Sequence, residues 1–67
     1  MSLGTDRAKI ATEENGERKF LKNIVTEPVS YELTTEADAE YLTVDELIVD
    51  IKHLQQNEPE RKFFVVS

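Results

Sequence analysis

Hydrophobic and polar positions divide the chain into short runs with a two-residue period and a single run with a helical period. Arg7 to Glu14 and Glu17 to Val25 flank Asn15-Gly16. A two-residue hairpin turn of type I′ needs φ > 0 at both central residues, and Asn-Gly meets that need with least steric cost. The pair predicts a β-hairpin. Ala8, Ile10 and Thr12 share one face of its first strand, whose weak apolar content predicts an edge position. In its second strand the apolar pairs Phe20-Leu21 and Ile24-Val25 are split by Lys22-Asn23. That break in alternation predicts a bulge, or partial cover on both faces.

Glu27-Pro28 interrupts the run, because proline cannot donate to a ladder. Val29, Tyr31 and Leu33 then alternate with Ser30, Glu32 and Thr34, which predicts a half-buried third strand with one wet face. Thr34 to Leu42 is polar around Ala37 and Ala39 and reads as a connection with room for one helical turn.

The helical run comes next. Thr43 followed by Glu46 forms a capping box, and Leu42 can staple onto Leu47. Val44, Leu47, Ile48, Ile51 and Leu54 make one apolar stripe. Asp45 and Glu46 suit the positive end of the helix dipole, with Lys52 and His53 towards the other end. Asn57 can supply a left-handed residue after the last turn, and Pro59 prevents continuation. The predicted helix spans about Val44 to Gln56. Arg61 to Val66 is the last strand. Phe63-Phe64-Val65-Val66 is apolar on both faces, which predicts a central position.

The order β-β-β-α-β defines a small α+β fold, an antiparallel sheet with one helix packed on one face. Residues 1–5 read as a disordered or cloning-derived segment, and residues 6–67 as a single domain. One helix covers only one face of a sheet, yet Phe63 and Val65 point to the face opposite Phe64 and Val66, as Phe20 does to Leu21. Apolar side chains are therefore expected on an uncovered face, and a second protomer is the simplest cover. The candidate self-association residues are Phe20, Phe63, Phe64, Val65 and Val66, and the expected state is a homodimer.

Composition narrows the chemistry. The chain of 67 residues has no cysteine and one histidine, so disulfides and thiolate zinc sites are excluded. A core this small supplies no more than about 3–5 kcal/mol, which makes association a natural source of added stability. His53 and Asp50 are three residues apart on the helix, but no activated nucleophile accompanies them. They read as a surface contact, and no catalytic residue is assigned. Carboxylates without a Gly-containing calcium loop give no metal site, and two glycines give no phosphate cradle. No cofactor is expected, and the chain is read as a non-enzyme.

The charge is −6 overall and unevenly placed. Eight acids and no Lys or Arg lie between Glu27 and Asp50. Such a balance argues against direct nucleic-acid binding, which needs clustered basic residues. Glu32, Glu36, Asp38, Glu40, Asp45 and Asp50 form a candidate surface for a basic protein partner, if folding gathers them away from Arg7, Lys9 and Lys19. The same acids would otherwise serve as a solvated face. No apolar run approaches the ~20 residues that span a bilayer, and the N-terminus lacks the pattern of a secretory signal. The expected setting is cytoplasmic, without membrane contact.

The stretch Thr35-Glu36-Ala37-Asp38-Ala39-Glu40-Tyr41-Leu42-Thr43-Val44-Asp45-Glu46-Leu47, lying between strands and a short final strand, resembles small uncharacterised proteins of phages and prophages. In those a strand leads through Thr-Asp, an Ala and an aromatic residue into a Ser/Thr-capped helix bearing Glu-Ala. Here the spacer is shorter, Glu36 replaces the Asp, and Leu47 replaces the Ala. The resemblance implies a bacterial or phage cytoplasmic setting and brings no activity. Two function classes follow from the residues. The first is a non-enzymatic protein-binding or assembly module that self-associates through its sheet. The alternative is an acidic inhibitor or nucleic-acid mimic occupying a basic surface of a host protein.

Overall fold

A computed structural model describes residues 7–66; the segment read as disordered or cloning-derived, residues 1–5, lies outside them. The elements are β1 (Arg7–Glu14), β2 (Glu17–Thr26), β3 (Val29–Thr34), β4 (Leu42–Thr43), α1 (Val44–Asn57) and β5 (Phe63–Val66). This is the α+β arrangement predicted, with a two-residue strand added before the helix. All pairings are antiparallel, and the sheet curls: β3 pairs β2, β2 pairs β1, and β1 pairs both β4 and β5.

Local chemistry explains the turns. Asn15 and Gly16 adopt φ of 55° and 81°, so Glu14 pairs directly with Glu17 across a two-residue loop. The register of β2 against β3 shifts between Lys22 and Val25, and Asn23 has a φ of 53°. The broken alternation is thus a bulge, and it carries Ile24 back to the side of Leu21. Glu27 and Pro28 form the loop between Thr26 and Val29, which pair with each other.

β1 is not at an edge. Ala8 through Thr12 are all buried, because strands flank β1 and both its faces are covered. Ala8, Ile10 and Leu21 pack beneath Leu42, Leu47 and Leu54 on the helix side. Ala11 and Phe20 pack with Ala39 on the other side, joined by Phe64 and Val66. The small side chains that made β1 look weakly apolar are what let two layers approach it closely.

β5 departs from expectation in the opposite sense. It pairs only with β1 and is an edge strand among the described residues. Three of its four apolar residues are half-buried, shared between two faces, without neighbours on two edges.

The connection from Thr35 to Tyr41 supplies the second layer. It turns tightly, with Asp38 N–H donating to the Thr35 carbonyl (3.2 Å) and Ala39 N–H to the Glu36 carbonyl (3.3 Å). Glu40 N–H then donates to the Leu21 carbonyl (3.2 Å). Lys9, 8% exposed, reaches up from β1, donates to the Glu36 carbonyl and lies 4.6 Å from the centre of the Tyr41 ring. One ammonium thereby pins the connection across the sheet.

The helix starts as predicted. Thr43 Oγ1 accepts from Glu46 N–H (3.3 Å), and Glu46 Oε1 accepts from Thr43 N–H (2.9 Å). Its end differs from the prediction. Asn57 is the last helical residue, and Glu58 caps it with φ −133°, outside the left-handed region. Gln55 instead bridges the carbonyls of Glu58 and Arg61, at 3.3 and 2.8 Å, and ties down the turn without a left-handed residue. Because the helix runs on to Asn57, its last turn contains no basic residue; Lys52 and His53 sit too early to meet the dipole end.

Candidate interaction surface

Backbone register assigns each β5 side chain to a layer, since directly opposed residues of an antiparallel pair share a face. Phe63 opposes Thr12 and Val65 opposes Ile10, on the helix side; Phe64 opposes Ala11 and Val66 opposes Lys9, on the other. Phe63 also meets the Tyr31 ring edge-on, with centroids 6.0 Å apart, while the Arg18 guanidinium lies 4.9 Å from the centre of the Phe64 ring. Val65 is the exception: it remains 49% exposed. Phe20, expected at a self-association surface, is enclosed with Ala11 and Ala39. The connection through Ala39 covers it, a role that its polar sequence does not signal.

The helix stripe is only partly used. Leu47 and Leu54 are buried and Ile51 half-buried, but Val44 and Ile48 are 52% and 64% exposed. At about 100° per residue, Leu47 and Leu54 point together while Val44 and Ile48 lie on the flank beyond Ile51. An apolar arc that wide exceeds what a narrow sheet covers. That excess width was the one sequence signal for this surface.

The other flank is acidic. Glu40 Oε1 accepts from Ile24 N–H of β2 (3.4 Å). Burial raises the Asp50 carboxyl above its ordinary value, reinforced by the nearby Glu46 and Glu40 charges and opposed by His53. Glu46 is held below its ordinary value by the Thr43 backbone N–H, then by the Thr43 hydroxyl. His53 Nδ1 lies 2.8 Å from the Val49 carbonyl of its own helix.

The six candidate acidic residues do not share a face. Glu36 and Asp38 are exposed on the connection over one side of β1, whereas Asp45 and Asp50 belong to the helix on the other. Glu40 stands between, near Asp50. Glu32, on β3, accepts from Asn23 Nδ2 (3.0 Å). Nor are these acids set apart from the basic residues: Lys9 holds the Glu36 carbonyl, and Arg7 is close enough to favour the charged form of Glu46.

A third feature has no counterpart in the sequence reading. Arg61 pairs with Glu58 (3.3 Å) and Glu14 (3.6 Å), and Glu58 also accepts from the Tyr31 hydroxyl (2.5 Å). Glu14, Glu58 and Arg61 line an open groove of about 760 Å³ beside the hairpin tip. The guanidinium there is already engaged by two carboxylates, so the cluster joins β1, β3 and the turn before β5 as a structural tie. Among the described residues no His, Asp and Glu side chains converge as a metal site. Nor is any helix among the described residues long and apolar enough to cross a membrane.

The exposed aliphatic side chains are thus Val65 on the β5 edge strand, Val44, Ile48 and Val49 on the helix, and Val25 on β2. Comparisons with protein-family models, curated proteins and solved structures found no match. They lend no support to the likeness to phage proteins.

Proposed function

We propose that the chain is a non-enzymatic protein-binding or assembly module that self-associates through its sheet in a cytoplasmic setting. The observation that carries this reading is the contrast between the edge strands β3 and β5. β3 is guarded, with Pro28 before it and Ser30 and Glu32 exposed along it. Proline and charge are the usual means of keeping an edge from pairing with another chain. β5 contains neither, carries no bulge, and consists of four residues of high β propensity. An edge left this open serves a strand-pairing contact.

Mass by light scattering and melting temperature, both measured across a wide concentration range, test the reading. Self-association gives a dimer at micromolar concentration and a melting temperature that rises with concentration. A monomer mass and a fixed melting temperature throughout that range would overturn it.

A further inference from the structure

We infer that Asn15 is a site of slow covalent self-modification, in which its side chain closes on the Gly16 amide, loses ammonia and reopens as aspartate or isoaspartate. This holds whether or not the chain self-associates. The chemistry needs a carboxamide, the backbone N–H of the next residue, and room between them. The Gly16 nitrogen passes its proton to solvent and bonds to Asn15 Cγ. The side-chain nitrogen takes up a proton and leaves as ammonia, and a cyclic imide remains. Water then opens the ring at either carbonyl. Attack at Cγ gives aspartate. Attack at the Asn15 main-chain carbonyl breaks its bond to Gly16 and gives isoaspartate, whose main chain runs on through Cβ and Cγ.

The structure separates Asn15 from Asn23 and Asn57. Ile24 N–H, which follows Asn23, donates to Glu40 Oε1 (3.4 Å), and the Asn23 carboxamide is itself held by Glu32. Glu58 N–H, which follows Asn57, donates to the Leu54 carbonyl (2.9 Å). Ring closure must break those bonds, and the Ile24 and Glu58 side chains crowd the attack. Gly16 presents neither obstacle. The Glu14–Glu17 pair closes the loop with its own backbone groups, which leaves the Gly16 N–H outside the ladder. Among the described residues no backbone bond of a turn or loop engages it. Asn15 and Gly16 are exposed, and nothing lies within 4 Å of where a Gly16 Cβ would stand. Closure turns the Asn15 ψ away from its hairpin value, so it proceeds through local opening of the tip. Fraying at the end of a ladder costs little, whereas opening at Asn23 or Asn57 disturbs the bulge or the last helical turn. Either product adds negative charge beside a groove already lined by Glu13, Glu14, Glu58 and Glu60. Aspartate keeps the turn, since Asp-Gly also suits a type I′ loop. Isoaspartate lengthens the main chain, breaks the opposition of Glu14 and Glu17, and loosens the strand end that Glu14 ties to Arg61.

The test is incubation of the intact chain for weeks at mildly alkaline pH and body temperature, followed by intact mass, anion exchange and peptide mapping. Asn15 should convert at least about tenfold faster than Asn23 or Asn57. The converted chain should show the mass gain of an amide exchanged for an acid and later elution from the anion exchanger, and isoaspartate should appear in the Asn15 peptide. The purified isoaspartate form should melt below a freshly made Asn15→Asp chain, which carries the same charge on an ordinary main chain. No conversion at Asn15, or conversion at equal rates at all three asparagines, would overturn the site. Equal melting temperatures for the isoaspartate form and Asn15→Asp would overturn the loosening of the hairpin.

Discussion

Replacing Thr12 by valine tests the assignment of β1 as the strand that holds the fold together. Thr12 is fully buried, and its hydroxyl donates to the Lys62 carbonyl at 2.7 Å. Fifty residues separate the two in the chain, and the bond fixes where β5 begins. Valine keeps the shape and β propensity of threonine but removes the donor. The net worth of such a bond is about 0.5–1.5 kcal/mol, and a carbonyl left buried and unpaired costs about 1–3 kcal/mol. The bond is part-buried, so the expected loss is near the lower range, about 1 kcal/mol. In a domain of this size that lowers the melting temperature by about 4–8 °C. The assay is urea unfolding followed by circular dichroism at 222 nm, alongside a thermal melt, both at fixed protein concentration. The midpoint should fall with the slope unchanged, because the same surface is exposed on unfolding. An unchanged or higher midpoint would refute the reasoning: the hydroxyl would then cost as much to desolvate as its bond returns.

Two further outcomes follow from titrating groups. Burial first, then the hydrogen bond to Glu58, raises Tyr31 from 10.0 to about 12. The folded state therefore holds the phenol proton more tightly than the unfolded chain, and stability is full below pH 10 and declines towards pH 12. Unfolding free energies measured across that window should show the decline in the wild type and lose Tyr31's contribution to it in Tyr31→Phe; identical slopes would sink the assignment. Asp50 is also raised, from 3.8, by burial and by Glu46 and Glu40. Its protonated form favours the fold, and that advantage is lost as pH rises through the folded value. Asp50→Asn should raise the melting temperature at pH 7, with the gain shrinking as pH falls through the raised folded value and gone below 3.8, and a gain independent of pH would contradict this cause.

Elements set by local chemistry were legible in the sequence. Asn15-Gly16 specified its turn through the sign of φ, Thr43 and Glu46 specified the helix start through orphan backbone donors, and the broken alternation at Lys22-Asn23 marked the bulge. What the sequence did not reveal depends on partners distant along the chain. β1 reads as weak because apolar content reports how large its side chains are, not how many layers press on them. β5 reads as central because Phe-Phe-Val-Val reports cover on faces and is silent about pairing at edges. Asn57 reads as a stop until Gln55 is seen bridging the carbonyls beyond it. The candidate surface was legible only in part. Val65 is an expected exposed position and is exposed, Phe20 is enclosed by a connection its sequence does not signal, and Val44 and Ile48 read as core because periodicity does not report how wide an arc the sheet covers.

The connection over the second face shifts where a partner can act. Without it, Ala11, Phe20, Phe64 and Val66 would present a broad apolar face, and association would be face to face. Thr35 to Tyr41 closes part of that face with the chain's own residues. Ala39 supplies the close contact, and Lys9 holds the strap through the Glu36 carbonyl and the Tyr41 ring. A lysine this enclosed loses hydration that a single carbonyl and a ring only partly replace. Its placement makes sense as the attachment of a polar segment that has little apolar area with which to hold itself down. Once both faces of β1 are covered internally, the unsatisfied capacity left in the sheet is at its edges. β3 is guarded by Pro28 and Glu32, whereas β5 has only Arg61 and Lys62 before it and no charge within it. Covering the face thus leaves β5 as the part of the sheet most open to a second chain.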